Sequence, residues 1–267
     1  MAVQPANRLK FSLQSKHSSA EISQFLAETD NKDLFFSLSY WDIASVGSTA
    51  RDLLEYAGVK HENITPTDAE WSAGEVPTAF SVLPCLKVKG PNGMEFNMAE
   101  SAVIDTFLAE RFGLLGNNTW EAMTIRTFYT NMQYLRERTF SETLSVKSSE
   151  KKKARDQFFS QSLRKFLEDH EFHLQENGCN GHYVGDKLSL ADLHLNNIIH
   201  FYSTVPWAKM ALDEFKKYEA VWKVKETVDR VTELHEWRAS NEFKGYEKGS
   251  RDHYAQCAVP EDDLTEK

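Results

Sequence analysis

The chain has 267 residues, with 40 acidic residues against 31 basic ones and a formal net charge of −9 at pH 7. That length allows one large domain or two smaller ones, each with its own core. The acidic balance, with no basic patch, argues against nucleic-acid binding. No apolar run approaches the roughly 18 residues of a membrane-crossing helix, so we expect no membrane span.

The cysteine pattern indicates the redox environment. Cys85, Cys179 and Cys257 are widely spaced and form no CxxC pair. This pattern is typical of a reducing compartment and argues against a disulfide framework or a two-cysteine redox site. We therefore expect a cytoplasmic protein. The polar, serine-rich composition of residues 1–20 also occurs in organelle transit peptides, so targeting by this stretch stays an alternative.

The first part of the chain is interpreted as an extension followed by a mixed α/β segment. Residues 1–32 form the extension, partly disordered, with a candidate short helix over Ala20–Thr29. The pattern then predicts a strand at Leu34–Ser39 and a helix over Ser48–Ala57, which Gly58 ends.

The remainder of this segment completes a recognisable order of elements. An extended piece, VKHENI, precedes a loop containing proline, serine and glycine. Strands at Cys85–Val88 and Met94–Asn97 flank the turn GPNG, and a helix with apolar positions at Val103–Leu108 follows. The order β-α-β, loop, β-β-α is typical of a thioredoxin-like domain, which we place over residues 33–113.

The second half of the chain shows helical periodicity alone. We predict an all-helical domain over residues 118–243 and a polar tail over residues 244–267. The fold class is thus an α/β thioredoxin-like N-terminal domain plus an all-α C-terminal domain. The helical patterns lie near Trp120–Leu144, Lys151–Gln175, Leu190–Tyr202 and Ala208–Arg238.

Tyr40 lies in the stretch LSYWD, where a strand gives way to the start of a helix. Taken alone, a tyrosine there is ordinary packing. With Arg51 in the next helix, however, the stretch resembles tyrosine-type members of the cytosolic glutathione transferase family, closest to the sigma-like group. The resemblance covers about Leu34 to Arg238. It implies that the Tyr40 hydroxyl points at the sulfur of glutathione, where a phenol donor would stabilise the thiolate.

The stretch SVLPCLKV carries a second part of the resemblance. In the family a cis-proline precedes the third strand, and the residue before it offers its backbone to the cysteinyl part of glutathione. Leu83 and Pro84 match those positions. The alternative is a trans proline at the entry of a strand, which is common.

The stretch AESAVIDTFLA matches the family pattern best. The resemblance implies that Glu100 and Ser101 bind the γ-glutamyl end of glutathione, with Ser101 at a helix start where the dipole favours anions. The alternative is that both are helix caps. Trp71 matches a sigma-like tryptophan that helps to hold the glycine end. The stretch LSLADLHL matches a helix-capping box of the family pattern. The role of this box is in folding, and we assign it no chemistry.

Several positions depart from the family pattern. Where the family often has arginines after its tyrosine, this chain has Ala44, Ser45 and Val46. Glu75 replaces a sigma-like lysine, and Val82 stands where a glutamine often contacts glutathione. We therefore expect either weak glutathione binding or a different way of holding the glycine end.

Two further groups of residues are candidates for sites. Phe128, Tyr129, Met132 and Arg136 are predicted to line a pocket for the electrophile, although helical spacing requires some of them to be core. The pattern HxxH at positions 170 and 173, followed by Cys179 and His182, has metal-ligand spacing. Histidines at a helix C-terminus, where the helix dipole favours them, can have the same spacing. The resemblance requires no metal, so we predict no metal site.

The resemblance implies a glutathione transferase that conjugates reduced glutathione to small apolar electrophiles. It also implies a homodimer and no cofactor beyond the co-substrate glutathione. Three alternatives stay open. The same site could run a glutathione-dependent isomerisation or peroxide reduction, as in prostaglandin synthases. The chain could be a non-catalytic structural relative, or a ligand carrier that binds apolar molecules without turnover.

Overall fold

The computed structural model describes residues 8–258, so the outermost parts of the predicted extension and tail lie outside the described residues. The chain divides into two compact units. The first unit holds the described residues up to Asp42 together with Val46–Phe112. The second holds Ile43–Ser45 and the described residues from Gly113 onward.

A four-stranded mixed sheet forms the centre of the first unit, in the order β2-β1-β3-β4. Strand β1 pairs in parallel with β2 and antiparallel with β3, which pairs antiparallel with β4. Phe36 and Leu38 of β1 are fully buried, as a strand covered by packing requires. The strands are β1 (Phe35–Ser39), β2 (Lys60–Ile64), β3 (Cys85–Lys89) and β4 (Glu95–Ala99), close to their predicted positions.

Four helices accompany the sheet in the first unit. They are α1 (Ser19–Glu28), α2 (Ser48–Tyr56), α3 (Asp68–Ala73) and α4 (Ser101–Arg111). Helix α3 lies where the sequence predicted a loop, and that prediction is wrong. The signal was present, because Thr67 and Glu70 form a capping box that fixes the start of the helix.

The described part of the predicted extension is a folded part of the first unit, which corrects the expectation of disorder from residue 8 onward. The N–H of Leu9 donates to Gly74 (2.7 Å), and Leu9 accepts from Thr78 (3.2 Å), so the segment pairs with the chain after α3. Further along, the Arg111 guanidinium donates to the carbonyls of Leu26 and Thr29 at the end of α1.

The second unit is entirely helical over its described residues. Helix α8 is its buried centre, and its start is fixed by the predicted box, in which Ser189 and Asp192 cap each other. The helices are α5 (Thr119–Thr139), α6 (Lys151–Gln157), α7 (Arg164–Glu176), α8 (Leu190–Thr204), α9 (Lys209–Phe215), α10 (Glu219–Asp229), α11 (Thr232–Ala239) and α12 (Asn241–Ala255). None of the helices in the described part of the chain combines the length and apolarity that crossing a membrane requires.

Helix α12 corrects the prediction of a tail from residue 244. The segment is polar on average, but Phe243, Tyr246 and Tyr254 recur at helical spacing and are buried. Averaging the polarity of the segment hid this apolar stripe.

Helix α12 also binds the short loop Ile43–Ser45. The N–H of Ala44 donates to the carbonyl of Tyr246 (3.1 Å), and the Ser250 hydroxyl donates to the carbonyl of Ala44 (2.9 Å). The hydroxyls of Ser45 and Tyr254 share a further hydrogen bond (3.1 Å). The loop that follows Tyr40 in sequence therefore belongs to the helical unit.

Candidate functional site

Tyr40 follows the end of β1, and its ring is buried. Only 4% of the residue is exposed, and its N–H donates to the carbonyl of Ile64 (3.1 Å). The backbone N–H of Val46 donates to the phenol oxygen (3.1 Å). The amide polarises the O–H and so strengthens it as a donor.

Two residues of the following segment fix the position of the Tyr40 ring. A Cβ atom at Gly47 would lie 2.5 Å from the ring, so only glycine fits there. Arg51 of α2 lies with its guanidinium 5.5 Å from the ring centre and donates to the carbonyl of Trp41 (2.8 Å). The need for glycine at position 47 was missed at the sequence level, because it arises from a contact with a side chain seven positions earlier.

The Leu83–Pro84 peptide bond is cis, as the family pattern implied, and β3 begins directly after it. Pro84 is buried and Leu83 is half-buried. The role of the Leu83 backbone in binding remains a prediction.

Glu100 and Ser101 stand at the start of α4, as predicted. Glu100 has a φ of +70°, a conformation that costs a non-glycine residue roughly 1–3 kcal/mol and that clusters at functional sites. Its side chain is exposed and makes no capping hydrogen bond. Its backbone carbonyl accepts hydrogen bonds from Val103 and Ile104. The alternative that Glu100 is a helix cap therefore holds only for its backbone. An exposed carboxylate here can meet a cationic group, while Ser101 offers the dipole-favoured end of the helix to an anion.

Trp71 of α3 lies edge-to-face against Trp41, the residue after Tyr40, with ring centres 4.8 Å apart. Arg8 lies over the ring of Trp71, with its guanidinium carbon 3.8 Å from the ring centre. Sequence reasoning did not connect Arg8 with Trp71, because 63 positions separate them.

Cys85 begins β3 and carries no chemistry. Its sulfur lies 3.6 Å from the carbonyl oxygen of Val82, and burial raises the pKa of the Cys85 thiol to about 11. The thiol therefore stays protonated at neutral pH, in agreement with its predicted role as a small buried hydrophobe.

The predicted electrophile pocket stays a prediction, although two of its four residues are buried in the core. Tyr129 and Met132 are core side chains, 2% and 0% exposed. Phe128 packs against Tyr183 and two histidines of α7. Arg136 alone of the four lines a small cavity of the helical unit, beside His194 and Tyr202. The facing of helical side chains depends on the neighbouring helices, which the sequence pattern did not reveal.

The histidines with metal-like spacing serve packing. His170 is buried and hydrogen-bonded to the hydroxyl of Tyr183 (2.6 Å) and to Asn131 (3.0 Å), and burial lowers the pKa of His170 to about 3. His182 lies 3.2 Å from the capping carboxylate of Asp192. Among residues 8–258 no three histidine, cysteine or acidic side chains form a group suited to a metal ion.

A cavity of about 370 Å³ lies in the first unit and is distinct from the predicted site. It is lined by β-strand residues such as Ser37 and Lys87 and by Phe11 of the N-terminal segment. Tyr40, Glu100 and Ser101 are not among its lining residues.

Comparisons with known proteins agree with the fold and extend over most of the chain. Residues 135–241 match the family model described as the C-terminal domain of glutathione S-transferases. The chain is 27% identical over 201 residues to a probable glutathione S-transferase 6 of Caenorhabditis elegans, covering 73% of this chain and 93% of the relative. It is 26% identical to glutathione S-transferase 1 of Ascaris suum, covering 76% of this chain and 95% of the relative.

Solved structures show the same architecture. A sigma-class glutathione transferase of Fasciola hepatica superposes with a TM-score of 0.64 at 23% identity, covering 79% of this chain and all (100%) of that chain. Prostaglandin synthase D of Nilaparvata lugens superposes with a TM-score of 0.66 at 22% identity, covering 78% of this chain and 98% of that chain. These likenesses confirm the predicted fold class, a thioredoxin-like domain followed by a helical one.

Proposed function

Because the chain belongs to the cytosolic glutathione transferase family, we propose that it conjugates reduced glutathione to small apolar electrophiles. The observation that carries the proposal is the Tyr40 hydroxyl at the end of β1, which accepts from the Val46 amide. The named relatives, matched over about three quarters of this chain, support the same reaction.

Tyr40 acts as the donor that makes glutathione nucleophilic. A free thiol has a pKa near 8.5, so most of it is protonated at neutral pH. A hydrogen bond to a charged group contributes about 1.5–3 kcal/mol, which lowers the thiol pKa by about one to two units. The thiol proton leaves to solvent, and the sulfur electron pair forms the bond to the electrophilic carbon while a leaving group departs with its own pair. Holding both reactants together supplies the remaining acceleration.

The rest of the tripeptide lies against the first unit in extended form. The Leu83 backbone pairs with the cysteinyl residue as an added strand would. At the γ-glutamyl end, exposed Glu100 meets the ammonium group, and the N–H groups at the start of α4 meet the carboxylate. The arginine that many relatives have after the tyrosine is absent, and here the Val46 amide is the donor at the phenol oxygen.

The assembly and location are further parts of the proposal. Exposed apolar side chains on α4 and α5 support a homodimer through these helices: Val103 is 53% exposed, Trp120 68% and Met123 61%. The three unpaired cysteines support a reducing compartment, the cytoplasm. Glutathione is the co-substrate, and the reaction uses no metal or prosthetic group.

The test compares Tyr40→Phe with Tyr183→Phe, a matched loss of a phenol hydroxyl at another buried tyrosine. We expect Tyr40→Phe to slow the conjugation of chlorodinitrobenzene about 10- to 100-fold at pH 7, from about 1.4 kcal/mol per tenfold. The ultraviolet absorbance of thiolate in bound glutathione should fall in parallel. Tyr183→Phe should keep both.

Circular dichroism and thermal melting establish that each variant is folded. If Tyr40→Phe keeps the rate and the thiolate absorbance of the wild type, Tyr40 does not activate the sulfur and the proposed mechanism is wrong.

A further inference from the structure

A row of polar side chains crosses one face of the sheet in the first unit. The strand register pairs Ser37 of β1 with Glu62 of β2 on one side and with Lys87 of β3 on the other. Lys87 in turn pairs with Asn97 of β4. All four residues line the cavity of about 370 Å³, a volume within the range of small-molecule sites.

The opposite face of the same strands is apolar. Phe36, Leu38 and Val88 alternate with the polar residues along the strands and are almost completely buried. A sheet with one apolar and one polar face normally turns the polar face to water. Here a further segment of the chain lies over the polar face, so the polar row faces a cavity.

That segment is the N-terminal strap, which we define as residues 8–12. At one end the N–H of Leu9 donates to the carbonyl of the C-cap residue of α3 (2.7 Å). At the other end the side-chain amide of Asn97 donates to the carbonyl of Ser12 (3.0 Å). Phe11 lies between these attachments in the sequence and lines the cavity. The strap is held on both sides of Phe11, and such a preorganised wall reduces the entropy lost when a ligand binds.

The charged groups of the cavity are separated by sign. Its acids are Glu62 of β2, Glu70 of α3 and Glu75, which follows α3. Its cations are Lys87 and Lys89, both of β3. Within the described part of the chain neither lysine side chain forms an ion pair or a hydrogen bond. Glu70 is engaged in the capping box of α3. The cavity therefore presents a carboxylate on one strand and an ammonium group on another to whatever it binds.

Glu62 and Lys87 are spaced for a small zwitterion. The hydroxyl of Ser37 donates to Oε1 of Glu62 (2.7 Å), which fixes the position of this carboxylate. Two strand spacings of about 4.8 Å separate the backbones at Glu62 and Lys87 by about 10 Å. The ammonium and carboxylate groups of an α-amino acid lie about 3 Å apart. A hydrogen bond of about 2.9 Å at each end brings the span to about 9 Å, which matches the gap.

The cavity also has an apolar part, to which Phe11, Ile64, Val76 and Pro77 contribute. Ile64 is 44% exposed, although it belongs to a strand of the sheet. An apolar side chain of a ligand that covers Ile64 and Phe11 removes apolar surface from water, which favours binding. The ligand that matches the cavity therefore carries both charges and an apolar group.

We propose that this cavity binds a free α-amino acid with an apolar side chain. The ammonium group of the ligand binds Glu62, and its carboxylate binds Lys87. Its side chain lies against Phe11 and Ile64. The site is separate from the proposed function, because none of the residues assigned to glutathione line this cavity.

The experiment tests the two charges of the ligand separately. Titration calorimetry on the full chain compares leucine with N-acetylleucine, which lacks the ammonium charge, and with leucinamide, which lacks the carboxylate charge. We expect leucine to bind about 10- to 100-fold more tightly than either analogue, because each analogue loses a hydrogen bond between charged groups.

Two variants assign each charge of the ligand to its partner. Lys87→Met should weaken leucine binding about 10- to 100-fold, to the level of leucinamide, with the affinity for leucinamide unchanged. Glu62→Gln should weaken leucine binding to the level of N-acetylleucine, with the affinity for that analogue unchanged.

Lys60→Met and Glu95→Gln are the matched controls. Both side chains are exposed on the same face of the sheet, one row away from Glu62 and Lys87, and neither residue lines the cavity. Both variants should keep the wild-type preference for leucine. Circular dichroism checks the fold of each variant, and Lys87→Gln takes the place of Lys87→Met if that variant does not fold.

Three outcomes would overturn the inference. A wild type that binds leucine no more tightly than its two analogues has no site for both charges. A variant at Lys87 or Glu62 that weakens all three ligands equally shows a role in the fold alone. Wild-type preferences in both variants would mean that the ligand binds elsewhere. Each of these results leaves the activity at Tyr40 untouched, so the proposed function stands or falls by its own test.

Discussion

The two ends of the described chain are polar in composition, yet they are held by different forces. No residue of α1 is fully buried, and the N-terminal segment is attached through backbone hydrogen bonds and the buried guanidinium of Arg8. Helix α12, by contrast, buries Phe243, Tyr246 and Tyr254 in the helical unit. The N-terminal end depends on directional polar contacts, and the C-terminal end depends on removing apolar surface from water.

This difference decides what each end can contribute to function. A segment attached by polar contacts can hold a charged side chain such as Arg8 against the ring of Trp71 without taking part in a core. A helix with a buried apolar face acts as a support, and α12 binds both the N–H and the carbonyl of Ala44 in the loop after Tyr40. Matched substitutions at the two ends test whether the forces differ as described.

The largest difference is expected from removing one phenylalanine at each end. Phe243 of α12 is 3% exposed and packs against Trp237 (5.5 Å), so Phe243→Ala should lower the free energy of unfolding by about 3–5 kcal/mol. Phe25 of α1 is half-buried and packs on the backbone of Gly90. Phe25→Ala should therefore lower the free energy of unfolding by only about 1–2 kcal/mol.

Urea unfolding followed by tryptophan fluorescence measures both costs, with the wild type as reference. Equal losses for the two variants would show that the N-terminal helix is held by apolar burial after all, and the contrast between the ends would not stand.

A smaller difference is expected from two side chains that each donate to a backbone carbonyl. The Ser250 hydroxyl is fully buried and donates to Ala44 (2.9 Å), so Ser250→Ala leaves a buried acceptor with one hydrogen bond fewer and should cost about 1–2 kcal/mol. The Asn97 amide donates to Ser12 (3.0 Å) in an exposed setting, and Asn97→Ala should cost less than about 0.5 kcal/mol.

Urea unfolding again measures both costs. Water replaces the lost hydrogen bond only at the exposed site, so the cost of Asn97→Ala should be the smaller of the two. A cost for Asn97→Ala that matches that of Ser250→Ala would contradict this account of the N-terminal attachment.

The sequence predicted those parts of the fold whose causes are local. Strands and helices follow from periodicity, and the positions of Tyr40, Pro84 and Glu100 follow from short motifs at element ends. The prediction failed for the two chain ends. The mean polarity of a segment reveals neither an apolar stripe on one face of a helix nor pairing with a distant backbone.

The candidate site was accessible to sequence reasoning to the extent that its residues are close in the chain. Arg8 was missed because Trp71, its partner, is 63 positions away. Tyr129 and Met132 were assigned to a pocket because the facing of a helix is set by the helices that pack on it. In both cases the missing information is tertiary, not local.

The smallest difference between the ends concerns acid sensitivity. The carboxylate of Glu247 on α12 lies 3.1 Å from Nε2 of His200 of α8, and this contact lowers the pKa of Glu247 below its ordinary value of 4.5. A carboxylate with a lowered pKa stabilises the folded state fully above the unfolded pKa, and this contribution is lost as pH falls through the folded pKa. Glu247→Gln should therefore reduce stability at pH 7 by less than about 1 kcal/mol, because the pair is partly exposed.

The decisive measurement is the change in unfolding free energy between pH 7 and pH 3. This change should be smaller in Glu247→Gln than in the wild type, because the variant has no carboxylate to protonate there. Glu21→Gln is the control at the other end: hydrogen bonds from Ser18 lower the pKa of Glu21, but its carboxylate is fully exposed, so the variant should follow the wild type more closely. If Glu21→Gln flattens the pH dependence as much as Glu247→Gln does, burial does not distinguish the electrostatics of the two ends, and their contrast reduces to apolar packing alone.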